Sequence, residues 1–208
     1  MRQSIKSKIY HRIRGHKRGR GFSAVDFINN FNRRETDEAL TDLASDGKIR
    51  RVIRGVYDYP KYSDLLKRYI APDIYQIANA IARKFSWRIH PDGNTALNYL
   101  GLSTQIAAKN IYLSDGPNRK YKIGNTELEF KRTAIKETAL RYPETSLVVQ
   151  ALKSWGEANI DDKFLQKLSG RYTLKEWQKI KRDSVKAAGW IYKTISSIVS
   201  DMENKNYG

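Results

Sequence analysis

Apolar residues at helical spacing open the chain. Three isoleucines recur every four residues and so share one face of a helix: Ile5, Ile9 and Ile13. The basic side chains between them fall largely off that face. The pattern predicts an amphipathic helix over 3–14 with a basic outer face, which ends at the glycine-rich segment 15–21.

Two further helices are predicted from their capping residues. Ser23 followed by Asp26 is typical of a helix start with an acid in the first turn, and it predicts a short helix of about 23–30. Asn32 is a second cap. Apolar residues on one face predict a third helix over 33–46.

A hairpin follows the third helix. β-Branched and aromatic residues flank Arg54-Gly55, and glycine supplies the positive φ that a two-residue hairpin turn favours. Pro60 ends the second strand. The order of three helices and a hairpin predicts a winged helix-turn-helix domain over 1–60.

Helix and strand patterns alternate over 61–144, with a hairpin around Gly124-Asn125, and this predicts a middle α+β domain. Residues 145–208 form a helical C-terminal extension. Apolar residues continue there in steps of three and four, which predicts one long helix over 174–202. The expected fold class is therefore α+β.

The charge of the chain changes the picture. It has 39 Lys and Arg against 22 Asp and Glu, a formal net charge of +17. An excess of this size indicates a polyanionic partner more than any fold. The first 20 residues contain eight basic and no acidic residues, and phosphate backbones neutralise such clusters. A disordered basic tail is the alternative, which the helical spacing disfavours.

The winged-helix prediction assigns roles to these residues, because its third helix enters the major groove and its wing follows the backbone or minor groove. Candidate base-reading residues are the predicted outward positions of the third helix: Arg33, Arg34, Thr36, Asp37 and Thr41. Candidate phosphate contacts lie in the glycine-rich loop and the wing: Lys17, Arg18, Arg20, Arg50, Arg51 and Arg54. A second basic cluster is a secondary anion contact or a solvated hairpin: Arg119, Lys120 and Lys122.

No arrangement of residues in the sequence points to catalysis. The absence of cysteine excludes disulfides, Cys-ligated metals and thiol chemistry, and three histidines are too few for a His-rich metal site. Phosphate-loop, hydrolase-elbow and zinc-protease motifs are absent. His90, in a Pro-Asp-Gly context, is expected to be a surface turn residue. We expect a protein that is not an enzyme and has no metal or cofactor.

The sequence has no apolar run of the length that a membrane span needs, so it predicts no membrane span. The first 20 residues contain no apolar segment, so it also predicts no signal peptide. The expected location is the cytoplasm. The predicted long helix also leaves a homodimer open, although packing within the chain is favoured.

Several short motifs resemble the AbiE-type (AbiEi) antitoxins of bacterial abortive-infection systems. They are Leu40-x-x-Leu43, the segments 47–51 and 54–57 around the predicted wing, and the segments 94–103 and 111–114 of the middle domain. The resemblance covers about 1–140, and the tail from 145 matches none of its motifs.

This resemblance implies a type IV toxin–antitoxin pair used in phage defence. It implies that the winged domain represses its own operon by binding promoter repeats in double-stranded DNA. It also implies that the C-terminal part counters a nucleotidyltransferase-like toxin without a stable complex. A transcription regulator with no toxin partner and an RNA-binding protein remain as alternatives, since charge alone does not separate RNA from DNA.

Overall fold

A computed structural model of the protein describes residues 4–103, 109–132 and 140–207. Two compact units divide the chain: Met1–Trp87 with Lys120–Leu128, and Arg88–Arg119 with Glu129–Gly208. Helices and small sheets are both present, which confirms the expected α+β class. Each helix within the described ranges is too short or too polar to cross a membrane.

The part of the first unit up to Trp87 contains, within its described residues, three α-helices and two small sheets. The helices are α1 (Ile5–Arg14), α2 (Arg33–Ser45) and α3 (Ile74–Phe85). The strands are β1 (Gly21–Phe22), β2 (Arg50–Ile53), β3 (Val56–Asp58), β4 (Tyr62–Ser63) and β5 (Arg68–Tyr69). The first three form an antiparallel sheet in the order β1-β3-β2, and β4 pairs with β5.

The apolar stripes predicted from the sequence form the core of this unit. Ile9 and Ile13 of α1 are buried, and so are Leu40 and Leu43 of α2. Full burial of each such side chain contributes about 1.5–3 kcal/mol. The Asn32 side chain accepts a hydrogen bond from the Arg34 N–H and caps α2, as predicted.

The predicted hairpin is also confirmed. Arg51 pairs with Tyr57, and Ile53 pairs with Val56 beside a register shift. Gly55 adopts a positive φ of 71°, which explains the glycine in this turn.

The predicted helix of about 23–30 is wrong. A single 3₁₀ turn, Ala24–Asp26, stands in its place, and the strand β1 before it was not predicted. The Asp26 carboxylate accepts a hydrogen bond from the Ser23 N–H at 2.9 Å and pairs with Arg83 of α3 at 2.6 Å. This contact, across 57 residues of sequence, holds the segment in a turn.

Beyond Trp87, the described residues contain nine further strands and α-helices. The strands are β6 (Ile89–Pro91), β7 (Lys109–Ser114), β8 (Arg119–Ile123) and β9 (Thr126–Arg132), in the sheet order β6-β7-β9-β8. The helices are α4 (Gly93–Tyr99), α5 (Pro143–Trp155), α6 (Asp162–Ser169), α7 (Leu174–Asp183) and α8 (Gly189–Tyr207). The predicted turn at Gly124 is confirmed, with a φ of 58°.

The predicted surface position of His90 is wrong. His90 lies in β6 and is buried, with its Nδ1 2.6 Å from the Ser146 Oγ. Asp92 caps α4 by accepting a hydrogen bond from the Thr95 N–H at 2.8 Å. The Pro-Asp-Gly sequence thus joins a strand end to a helix start.

The single long helix predicted over 174–202 is also wrong. α7 ends at Asp183, a 3₁₀ turn follows, and Ala187 is extended with ψ at 170°. The Ser184 hydroxyl donates to the Lys181 carbonyl at 3.0 Å, within the break. The apolar period continues because α7 and α8 each bury a stripe, with Trp177 on α7 and Ile195 on α8. A dimer seam along one continuous helix therefore has no basis in this fold.

Candidate nucleic-acid interface

The outer face of α1 is basic and exposed. Arg12 and Arg14 are exposed, whereas Ile9 and Ile13 are buried. Arg12 donates a hydrogen bond to the Asn30 side chain. Lys6 differs from them, because its ammonium lies 3.0 Å from the Asp46 carboxylate and lowers the pKa of that group by hydrogen bonding.

The glycine-rich loop after α1 is fixed to the segment that follows β3. The Arg18 guanidinium donates to the Pro60 carbonyl at 3.0 Å and lies 4.3 Å from the centre of the Tyr59 ring. The Gly19 N–H donates to the Tyr59 carbonyl at 2.7 Å. These contacts hold the loop in one conformation, unlike a disordered basic tail.

Arg20 is restrained within the same loop. Its Nη1 lies 2.7 Å from the His16 Nδ1, which accepts the hydrogen bond when the imidazole is neutral. Burial lowers the pKa of His16, and the positive charges of Arg20 and Arg12 lower it further. The neutral imidazole is therefore favoured, and it keeps Arg20 in place.

A pocket with a volume of about 640 Å³ lies beside this loop. Its basic lining residues are Lys17, Arg18, Arg20, Arg50 and Lys61. Asp58 and Asp73 also line it, so the surface is cationic overall but not uniformly so. A cleft lined mostly by one sign of charge raises the local concentration of the opposite ion.

Arg50 has a structural partner. Its Nε donates to an Asp58 carboxylate oxygen at 2.9 Å, and its Nη1 donates to the Ile70 carbonyl at 2.9 Å. The Asp58 side chain is 1% exposed, so it needs a compensating charge. Arg50 supplies that charge, which removes most of its capacity for a phosphate contact.

The β2–β3 hairpin carries two cations that have no such partner among the described residues. Arg51 and Arg54 are exposed, and neither pairs with a carboxylate in the part of the chain that the structure describes. The Lys84 ammonium donates to the Arg54 carbonyl at 2.8 Å. A Cβ at Gly55 would lie 2.8 Å from the same nitrogen. The tip is thus supported from α3 while its arginine side chains face solvent.

The exposed side of α2 has a mixed charge. Arg33 pairs with Asp37 at 2.8 Å, with both side chains about half exposed. Arg34 pairs with Glu38 at 3.0 Å, with both more exposed still. Exposed pairs of this spacing contribute only about 0.3–0.5 kcal/mol each, so a stronger partner can displace them.

The predicted outward orientation of Thr36 is wrong. Its side chain is fully buried, and its hydroxyl donates to the Asn32 carbonyl at 2.7 Å. Thr36 shares a helical face with Leu40 and Leu43, a spacing that is visible in the sequence. Thr41 does face outward, with its hydroxyl donating to the Asp37 carbonyl at 2.9 Å.

Sequence reasoning also missed how acidic this helix face is. Four exposed acids accompany its two arginines: Glu35, Asp37, Glu38 and Asp42. Carboxylates repel phosphates but can accept a hydrogen bond from the cytosine amino group. The composition of the 33–45 segment contains this signal.

The secondary basic cluster is partly neutralised. Lys120 lies 3.8 Å from the Glu127 carboxylate, while Arg119 and Lys122 are exposed. Within the described ranges, no three His, Cys, Asp or Glu residues are grouped as a metal site requires. The buried His90–Ser146 pair belongs to the core of the second unit.

Comparison with known proteins gives one family. No curated protein matches the sequence. The sequence model of DUF6088, a family of unknown function, matches residues 8–181, from α1 to α7. A match over most of the chain shows membership, and the protein therefore belongs to the DUF6088 family.

Proposed function

We propose that the protein is a sequence-specific, double-stranded DNA-binding antitoxin that represses its own operon. The observation that carries the DNA-binding part is the placement of Arg51 in β2 and Arg54 at the turn of the β2–β3 hairpin, both exposed and without carboxylate partners in the described residues. An operon repressor acts on the chromosome, so the proposed location is the cytoplasm.

We further propose that residues 1–60, within the first unit, form a winged helix-turn-helix. The order α1, β1, 3₁₀ turn, α2, β2, β3 and the sheet order β1-β3-β2 support this assignment. In it, α2 is the recognition helix, the 3₁₀ turn replaces the helix before it, and β2–β3 is the wing. A recognition helix in the major groove with an adjacent backbone contact is the usual docking mode.

We assign sequence-independent affinity and base discrimination to two different sets of residues. Phosphate contacts from Lys17, Arg51 and Arg54 supply affinity that is independent of sequence. Arg18 and Arg20 assist at low entropic cost, because both are already held by the loop. Arg33 and Arg34 discriminate between bases by exchanging their carboxylate partners for guanine.

A gel shift with the DNA upstream of the gene, across a salt series, tests this function. With about six phosphates neutralised, log K should fall with log salt at a slope near −5. A shift with that slope supports the proposal. No shift at low salt would eliminate operator binding.

The antitoxin part rests on the resemblance to AbiE-type proteins. The proposed partner is a nucleotidyltransferase-like toxin, countered without a stable complex. Growth of cells expressing the neighbouring gene, with and without this protein, tests it directly. Rescue of growth supports the antitoxin role, and a neighbouring gene that is harmless alone would leave a transcription regulator instead.

A further inference from the structure

A second basic pocket lies within the second unit, where α5 begins and α7 ends. Its volume is 480 Å³. It is lined by Arg141, Tyr142, Lys179, Arg182, Asp183, Val185 and Lys186. These residues come from two distant segments of the sequence, 141–142 and 179–186, so no local motif reveals them.

The basic side chains of this pocket form no salt bridges within the described residues. Four of them are exposed, and none forms a salt bridge with a described residue: Arg141, Lys179, Arg182 and Lys186. Like charges brought around one concavity repel one another and attract an anion. The ligand that fits this lining is therefore negatively charged.

The acidic residue in the lining is already engaged. Both carboxylate oxygens of Asp183 accept from the Arg141 N–H at 3.0 Å, and one accepts from the Tyr142 N–H at 3.0 Å. These donors lie at the start of α5, where the helix dipole also offsets negative charge. Asp183 joins α7 to α5, and its charge opposes an incoming anion only weakly.

An aromatic ring stands among the cations. The Tyr142 side chain is 45% exposed, and Val185 beside it in the lining is 63% exposed. A single exposed apolar side chain is ordinary, but an exposed ring surrounded by cations matches what single-stranded nucleic acid requires. Phosphates bind the cations, and an unpaired base stacks on the ring.

We propose that this pocket binds single-stranded nucleic acid, with one unpaired base on Tyr142 and the flanking phosphates on the four cations. A duplex does not fit this chemistry, because its bases are stacked inside and offer the ring no face. An acidic peptide would satisfy the cations but leave the ring unused. The inference uses only the second unit and is independent of operator binding by the first.

Fluorescence anisotropy of the full-length protein with labelled strands of about twelve nucleotides tests the pocket. The probes are oligo(dT), oligo(U) and an abasic strand of equal length. Binding of oligo(dT) or oligo(U) supports the proposal. Binding of neither overturns it, and so does an abasic strand that binds as tightly as oligo(dT).

Two pocket variants separate charge from stacking. The double variant Lys179→Ala/Arg182→Ala should weaken binding about tenfold and reduce the salt slope by about 1.4. Tyr142→Ala should weaken binding about tenfold, while Tyr142→Phe, which keeps the ring, should bind like the wild type. The matched control Lys163→Ala/Lys167→Ala removes two exposed charges from α6 and should have little effect. Equal losses in pocket and control variants would refute the site.

The first unit is also basic, so the location of binding needs its own measurement. Photo-crosslinking of a strand containing 4-thiothymidine, followed by peptide mapping, should label the segment around Tyr142 or 179–186. Labelling confined to the first unit would overturn the proposal. Thermal unfolding shows whether each variant is folded, and duplex binding by the pocket variants should remain unchanged.

Discussion

The β2–β3 hairpin and α2 of the first unit differ in how their arginines are held. Arg51 and Arg54 of the hairpin have no carboxylate partner among the described residues, whereas Arg33 and Arg34 on α2 each pair with an acid one turn away. A free arginine binds any phosphate. A paired arginine binds a new partner only where that partner replaces the carboxylate well. Under the proposed function, the hairpin supplies affinity for any duplex and α2 supplies base discrimination.

The largest expected effect on stability concerns Arg50, which the sequence of the β2–β3 hairpin presents as one of several arginines but which the structure pairs with buried Asp58. Arg50→Ala should lower the free energy of unfolding by about 2 kcal/mol, less than for a fully buried pair because Arg50 is partly exposed. Denaturant unfolding measures this. Asp58→Asn in the same variant should restore part of the loss, and Arg51→Ala should cost almost nothing. Equal costs for Arg50→Ala and Arg51→Ala would contradict the distinction.

The second prediction concerns base discrimination by α2. Arg33→Ala/Arg34→Ala should reduce the preference for the upstream duplex over a scrambled one by about 1–3 kcal/mol per lost base contact. The unfolding free energy should change little, because both salt bridges are exposed. Competition binding measures the preference. An unchanged preference would remove α2 from the reading role.

Removal of the two hairpin arginines should have a smaller effect on DNA binding, and the effect should be the same for all duplexes. Arg51→Ala/Arg54→Ala should weaken binding to all duplexes alike and reduce the salt slope by about 1.8. The control is Lys163→Ala/Lys167→Ala on α6, which removes the same charge elsewhere. If the wing variant changes sequence preference while the α2 variant does not, the two roles are exchanged.

The smallest expected effect concerns the pKa of His16, which lies in the glycine-rich loop after α1. His16 should titrate below the ordinary histidine pKa of about 6.5, since burial and then Arg20 and Arg12 lower its pKa. Its contribution to stability is therefore present above that pH and is lost as the pH falls through the lowered pKa. NMR titration should show that Arg20→Ala raises the pKa of His16 partway, because burial remains, and that Lys8→Ala does not. A wild-type pKa at or above the ordinary value would contradict this.

Local patterns were sufficient for the elements that local interactions determine. The isoleucine spacing located α1, Asn32 located the start of α2, and Gly55 located the turn of the hairpin. Their causes lie within a few residues of one another. The same spacing argument, applied to Thr36 with Leu40 and Leu43, would have placed Thr36 inside.

Features determined by distant residues could not be read from the sequence. The turn at Asp26 depends on Arg83, and the burial of His90 depends on its contact with Ser146. The break between α7 and α8 leaves the apolar period intact, so periodicity alone predicts one helix. The basic pocket of the second unit likewise combines two distant segments, 141–142 and 179–186, and Asp183 accepts backbone hydrogen bonds between them.

Competition between the upstream duplex and a scrambled duplex of equal length, at physiological salt, tests most directly whether the first unit reads DNA. We expect the full-length protein to bind its own upstream sequence about a thousandfold or more tightly than the scrambled duplex. Equal affinity for the two duplexes would contradict it.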